Sequence, residues 1–120
     1  MVTYKSFEVV VVPFPFTDQA TSKRRPALVL SSANFNDSSR HGVMAMITTA
    51  SRSMWPLDVI IRDMQDAGLT HPSLIRMKLF TLDQKLIQRK IGGLSERDQI
   101  SVHESLTSLL DFSYPDVNQK

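Results

Sequence analysis

Val9-Val10-Val11-Val12-Pro13-Phe14-Pro15-Phe16-Thr17-Asp18 and, a short polar stretch later, Lys23-Arg24-Arg25-Pro26-Ala27-Leu28-Val29-Leu30-Ser31 decide how this chain folds. The first stretch is β-branched and continuously apolar, the pattern of a strand covered on both faces, and the prolines at 13 and 15 end it. Residues 17–24 are polar and read as an exposed loop. A second strand follows over 27–31, with Pro26 at its mouth, where a missing N–H is tolerated. Three cations therefore sit at the edge of a buried run. A charged group in that position is held on a rigid element, which suits gripping a phosphate.

Working outward, residues 32–42 are rich in Asn, Ser and Asp and read as turns that can include one helical turn, one of the short extra helical turns expected beside the terminal helix. Residues 43–48 form a third apolar strand that ends in Thr48-Thr49, and 51–56 form a loop carrying Arg52 and Trp55. Residues 57–61 are β-rich, 63–72 form a connection containing Gly68, and 73–79 and 86–91 are further strands. After Gly92-Gly93, Ser95-Glu96-Arg97-Asp98 resembles a capping box in which Asp98 reaches back to the Ser95 backbone. Ile100, Leu106, Leu109 and Leu110, with Val102 nearby, keep helical spacing as far as Leu110, and Pro115 stops any continuation. Short strands with turn signals between them and one terminal helix predict a mainly β fold, a small barrel or curled sheet capped by a C-terminal α-helix.

The chain has 120 residues, of which 42% are hydrophobic: enough for one packed domain and too few for two. The expectation is a single domain over 1–120, with a core of about 7–111 and a frayed tail over 112–120. The net charge of +2 permits a nucleic-acid partner without requiring one. There are no cysteines, so disulfides and thiolate metal sites are excluded. No apolar run approaches the length of a membrane span, and the N-terminus has no signal-like apolar region, so a cytoplasmic protein with no membrane role is expected.

Few residues carry chemistry. His41, His71 and His103 are far apart, and metal-ligand spacings, glycine-rich phosphate loops and nucleophile elbows do not occur. Arg25 is the sharpest candidate, because a guanidinium is permanently charged and grips two phosphate oxygens at once. The plain alternative is a surface arginine paired with Asp18 or Glu8. Lys23 and Arg24 raise the local positive potential. Thr48 and Thr49 bring hydroxyls to the end of a strand, where they can bond a phosphate or orient an attacking group; β-propensity explains them equally well. Ser73 and Arg76 open the strand after Pro72, and Arg76 is either a second clamp or an edge cation. Trp55 either stacks on a nucleobase or packs on its own domain.

Taken in order, residues 8–18, Arg25-Pro26-Ala27-Leu28-Val29-Leu30-Ser31, Ile47-Thr48-Thr49, Gly68-Leu69, Pro72-Ser73 and Ile91-Gly92-Gly93-Leu94-Ser95 resemble the MazF/PemK toxins of bacterial toxin–antitoxin pairs. The likeness runs from about residue 8 to 110. It implies an SH3-like barrel with an added helix and a homodimer. It also implies metal-independent, sequence-selective cleavage of single-stranded RNA without a cofactor, growth inhibition, and a cognate antitoxin whose tail blocks the RNA groove. DNA binding would then belong to the toxin–antitoxin complex. The catalytic positions of the family fall on Arg25 and Thr48, with Thr49 as a neighbouring hydroxyl. Two departures stand out: Phe7-Glu8 replaces the Gly-Asp with which many members begin the first strand, and Lys78 stands where some carry an acidic residue.

Such cleavage uses the 2′-OH beside the scissile phosphate as nucleophile and leaves a 2′,3′-cyclic phosphate and a 5′-OH, so DNA can bind but not react. Arg25 suits charge stabilisation better than proton removal, because arginine hardly deprotonates. The acidic candidates for a base are Glu8 and Asp18. The loops 17–24, including Asp18, and 49–56 are expected to read bases. Two other readings stay open: a non-catalytic CcdB-like toxin that binds a protein such as a topoisomerase, and a plain RNA-binding barrel.

Overall fold

Strand β1 (Glu8–Phe14) is buried on both sides, as its unbroken apolar run requires. Val9 enters one cluster with Leu28, Ala45, Ile47, Ile75 and Val102. Val10 and Val12 point the other way, into a second cluster with Ala27, Val29, Met44, Leu82 and Ile87. The computed structural model describes residues 3–14, 23–50 and 55–111; Asp18, Arg52, most of the loop at 17–24, Pro115 and the tail at 112–120 lie outside them.

The elements after β1 are β2 (Lys23–Val29), α1 (Ala33–Ser39), β3 (His41–Thr49), β4 (Val59–Ile60), α2 (Met64–Ala67), β5 (Ser73–Asp83), a short 3₁₀ turn (Gln84–Leu86), β6 (Arg89–Gly93) and α3 (Glu96–Leu110). The strands form one antiparallel sheet in the order β4-β5-β3-β2-β1-β6. Register slips bend it, between Val9 and Val10 against β6 and between Ala45 and Met46 against β5. The result is the curled, mainly β architecture with a C-terminal helix that the sequence predicts. Helix α3 covers the first face through Val102 and Leu106. Ile100, Leu109 and Leu110 are exposed, so only part of the apolar spacing in α3 faces the core.

Three local details differ from the sequence reading. The segment expected to be turns contains the seven-residue helix α1, started by Ser32, whose side chain accepts from the Phe35 N–H. Its buried Asn36 explains why a polar segment helps hold the core: the side-chain amide donates to the Tyr4 and Ser31 carbonyls. Strand β2 begins at Lys23, so the basic residues lie within the strand rather than before it. The Ser95 hydroxyl caps α3 by accepting from the Asp98 N–H, but the Asp98 carboxylate does not reach back. Wholly buried, it accepts from the backbone N–H groups of Arg62 and Asp63 and so ties the β4–α2 connection to the helix.

Two glycines set how closely α2 approaches the sheet. Gly68, at φ 75°, ends α2 in the left-handed region, and a Cβ there would lie 2.0 Å from the Ile91 carbonyl oxygen. A Cβ on Gly92 of β6 would lie 2.4 Å from the Ala67 carbonyl carbon. Phe7, just before β1, also has positive φ, at 72°. Its N–H donates to Val29 and its carbonyl accepts from Leu94.

Gly92→Ala is expected to destabilise the protein by about 2–3 kcal/mol, because the obstructing atoms are backbone and cannot swing aside; urea unfolding checks this. Asp63 generates a second expectation. Hydrogen bonds from Arg97 first, and then from Ser95, hold its carboxyl down at about 2 against the ordinary 3.8. A carboxyl depressed by folding adds stability above its unfolded value and loses it as the pH falls through the folded one. Thermal stability should therefore drop as pH goes from 3.8 towards 2, and Asp63→Asn should flatten that part of the curve.

Candidate functional site

The ladder between β2 and β3 runs through Val29↔Met44, Leu28↔Ala45 and Ala27↔Met46 and stops there. Pro26, the next residue of β2, has no N–H to extend it. Beyond that point the two strands frame a cleft of about 370 Å³. Arg24, Arg25 and Pro26 line it from β2, and Ile47, Thr48 and Thr49 from β3. Counting two residues past Ala27 and Met46 reaches Arg25 on one strand and Thr48 on the other. The α2–β5 connection supplies Gly68, Leu69, Thr70 and His71, Ser73 opens β5, and Arg89 and Ile91 close the far side from β6. The close approach of Gly68 and Gly92 is what brings the connection and β6 together as that wall.

Arg25 is half-buried. Its guanidinium carbon lies 5.4 Å from the centroid of the Phe14 ring, a cation–π contact that fixes the head group. Its Nε is buried and meets no acceptor among the described residues. A buried donor left unsatisfied is costly, so this one is poised for an anion from outside. Thr48 is half-buried and Thr49 exposed. Thr49 pairs with Ser73 across the β3·β5 ladder, and the buried Ser73 hydroxyl donates to the His71 carbonyl at 2.8 Å. That bond pins the turn carrying His71, whose Nδ1 lies 3.0 Å from the Thr70 hydroxyl. Among the described residues three arginines and no carboxylate line the cleft, which makes its field positive.

Of the residues singled out from sequence, Arg24, Arg25, Thr48, Thr49 and Ser73 meet in this cleft, while Lys23, at the exposed start of β2, does not line it. Trp55 and Arg76 form a separate cluster. Arg76 holds Asp58 through both arms, Nε to Oδ1 at 3.2 Å and Nη2 to Oδ2 at 2.9 Å, and the bond raises the already high Arg76 pKa. Trp55 is exposed: its backbone N–H donates to Asp58 Oδ2, and Lys78 Nζ lies 4.7 Å from its ring centroid. Asp18 lies outside the described residues. Glu8 pairs with Lys90 at 2.9 Å and accepts from the Lys5 N–H, not from Arg25. Burial pushes the Glu8 carboxyl up, but Lys90 and Lys5 outweigh it and hold it below the ordinary range.

Arg89 has no mark in the sequence, and His71 stands there only as one of three separated histidines. Arg89 could have been found from the pairing of the last strand with β1, which sets it beside Val11. His71 had only its position next to Pro72-Ser73 to mark it.

The chain matches the family described as PemK-like, MazF-like toxin of type II toxin–antitoxin systems over residues 5–110. No curated protein sequence is significantly similar to it. Similar solved structures include the MazE–MazF complex (Form-III) of Deinococcus radiodurans, at TM-score 0.75 and 23% identity, covering 93% of this chain and 100% of that one. An endoribonuclease in complex with its cognate antitoxin from a mycobacterial species gives TM-score 0.73 and 17% identity over 96% of this chain and 100% of that one. The Mycobacterium tuberculosis toxin MazF-mt6 gives TM-score 0.71 and 20% identity over 89% and 99%. At these identities the structural likeness speaks for the fold. The family match spans nearly the whole chain, and on it the chain belongs to the PemK-like, MazF-like toxins of type II toxin–antitoxin systems.

Proposed function

We propose that this toxin is a metal-independent, sequence-selective endoribonuclease that cuts single-stranded messenger RNA and thereby arrests translation and growth. The observation that carries the reading is the meeting of Arg25 and Thr48 in one positively lined cleft, with a buried arginine donor that meets no acceptor among the described residues. Attack by the 2′-OH on phosphorus builds negative charge on the non-bridging oxygens. The Arg25 guanidinium, fixed by Phe14, sits ready to stabilise that charge without reorganising. Thr48 donates a hydrogen bond to a phosphate oxygen or orients the 2′-OH. Arg24 and Arg89 extend the positive wall along an RNA backbone, and Thr49 and Ser73 offer hydroxyls beside it. A wall of cations repels a divalent metal, which favours a route in which arginine takes the metal's electrostatic role.

The cognate antitoxin belongs to the same proposal, in keeping with the antitoxin complexes among the similar structures. So do the homodimer, the cytoplasmic location and a single domain over 1–120. Among the described residues no helix is long and apolar enough to cross a membrane.

On a defined transcript, cut ends should carry a 2′,3′-cyclic phosphate and a 5′-OH, and cutting should persist in excess chelator. A 2′-deoxy residue at the scissile position should abolish cutting and leave binding. Arg25→Ala and Thr48→Ala should each slow single-turnover cleavage by about 10²–10³, with cooperative unfolding retained. Cutting at an undiminished rate in Arg25→Ala would overturn the site. Wild-type protein that leaves RNA intact yet arrests growth would point to a protein target instead.

A further inference from the structure

We propose that His71 is the general base of this cleft and takes the proton from the attacking 2′-OH; the inference rests on the endoribonuclease reading. Cleavage needs a proton acceptor, and the side chains already placed cannot serve. Arginine stays protonated, and a threonine hydroxyl is too weak a base. The two carboxylates that the sequence suggested do not supply one among the described residues: Glu8 is bound by Lys90 and Lys5, and Asp18 lies outside them. Among the described residues no Asp or Glu lines the cleft. His71 does line it, and histidine is the side chain that takes up and gives back a proton in the neutral range.

Its surroundings suit an acceptor. The ring touches a neutral hydroxyl, Thr70, at 3.0 Å, which leaves the other ring nitrogen for the substrate. The charged groups sharing the cleft are Arg24 and Arg25 from β2 and Arg89 from β6, all cations; the acidic residue of α2, Asp66, does not line it. Among the described residues no carboxylate lines the cleft beside the ring. The Ser73 hydroxyl bonded to the His71 carbonyl fixes the backbone that carries the ring. In the reaction the 2′ O–H bond breaks as the imidazole N–H forms and the 2′ oxygen bonds to phosphorus. The 5′ oxygen leaves and is protonated by solvent, and the imidazolium returns its proton to solvent.

The test compares wild type, Arg25→Ala and His71→Ala on one RNA under single-turnover conditions across pH. His71 is exposed in a turn, so its replacement should leave the fold intact, as circular dichroism would verify. The expected result is a His71→Ala rate lower by about 10²–10⁴ at neutral pH, with the acidic limb of the wild-type profile gone. Cutting by His71→Ala within about threefold of wild type, while Arg25→Ala is inactive, would overturn the inference and leave the endoribonuclease reading standing. A slowed variant that keeps the acidic limb would also overturn it, because the side chain would then only position the substrate. If wild-type protein itself cuts no RNA, the underlying reading falls and this one with it.

Discussion

The backbone-to-backbone approach of α2 to β6 is the constraint on which the candidate site depends. Strands β2 and β3 supply one side of the cleft, and ordinary antiparallel pairing accounts for them. The opposite side exists only because a four-residue helix ends in left-handed Gly68 directly against Ile91, and because Gly92 lets that helix lie on β6. Any side chain at either glycine would push the α2–β5 connection outward. His71 and Arg89 would then separate, and the cleft would become a shallow face. Buried Asp98 supports the same connection from the other end by satisfying two amide groups at the start of α2.

Arginines 25 and 76 show how the same side chain takes different work from its surroundings. Arg76 has both arms on the fully buried carboxylate of Asp58, beside Trp55. Removing either member would strand a charge, so the pair is bound into the fold. Arg25 is offered an aromatic face, which orients it without neutralising it. An anion gains far more from the second arrangement than from the first.

Much of this was legible in the residues, and the gaps have physical causes. The valine run and the Arg-Pro-Ala-Leu-Val segment identified two central strands because burial on both faces imposes a continuous apolar pattern. Arg25 and Thr48 could be singled out because each stands where an apolar strand meets polar chain. Helix α1 was hidden, since Asn, Ser and Asp also favour turns, and it is Asn36's fit among the Tyr4 and Ser31 carbonyls that favours the helix. The separation of Arg76 from Arg25 follows from Asp58, eighteen positions earlier and brought alongside by β4 pairing with β5. His71 stood out no more than His41 or His103, because one histidine in a turn has no periodicity, and only the folded chain brings it into the cleft lined by the arginines.

Phe7 carries a lesson about interchangeable solutions. A bulky residue in left-handed backbone gives up about 1–2 kcal/mol, which glycine would not. Yet the same ring packs against the Val9–Leu28 cluster, and half-burying a phenylalanine returns about 1 kcal/mol. The burial offsets much of the backbone cost. The bend itself is then held by backbone alone, the amide bonded to Val29 and the carbonyl to Leu94, whatever side chain stands at the corner.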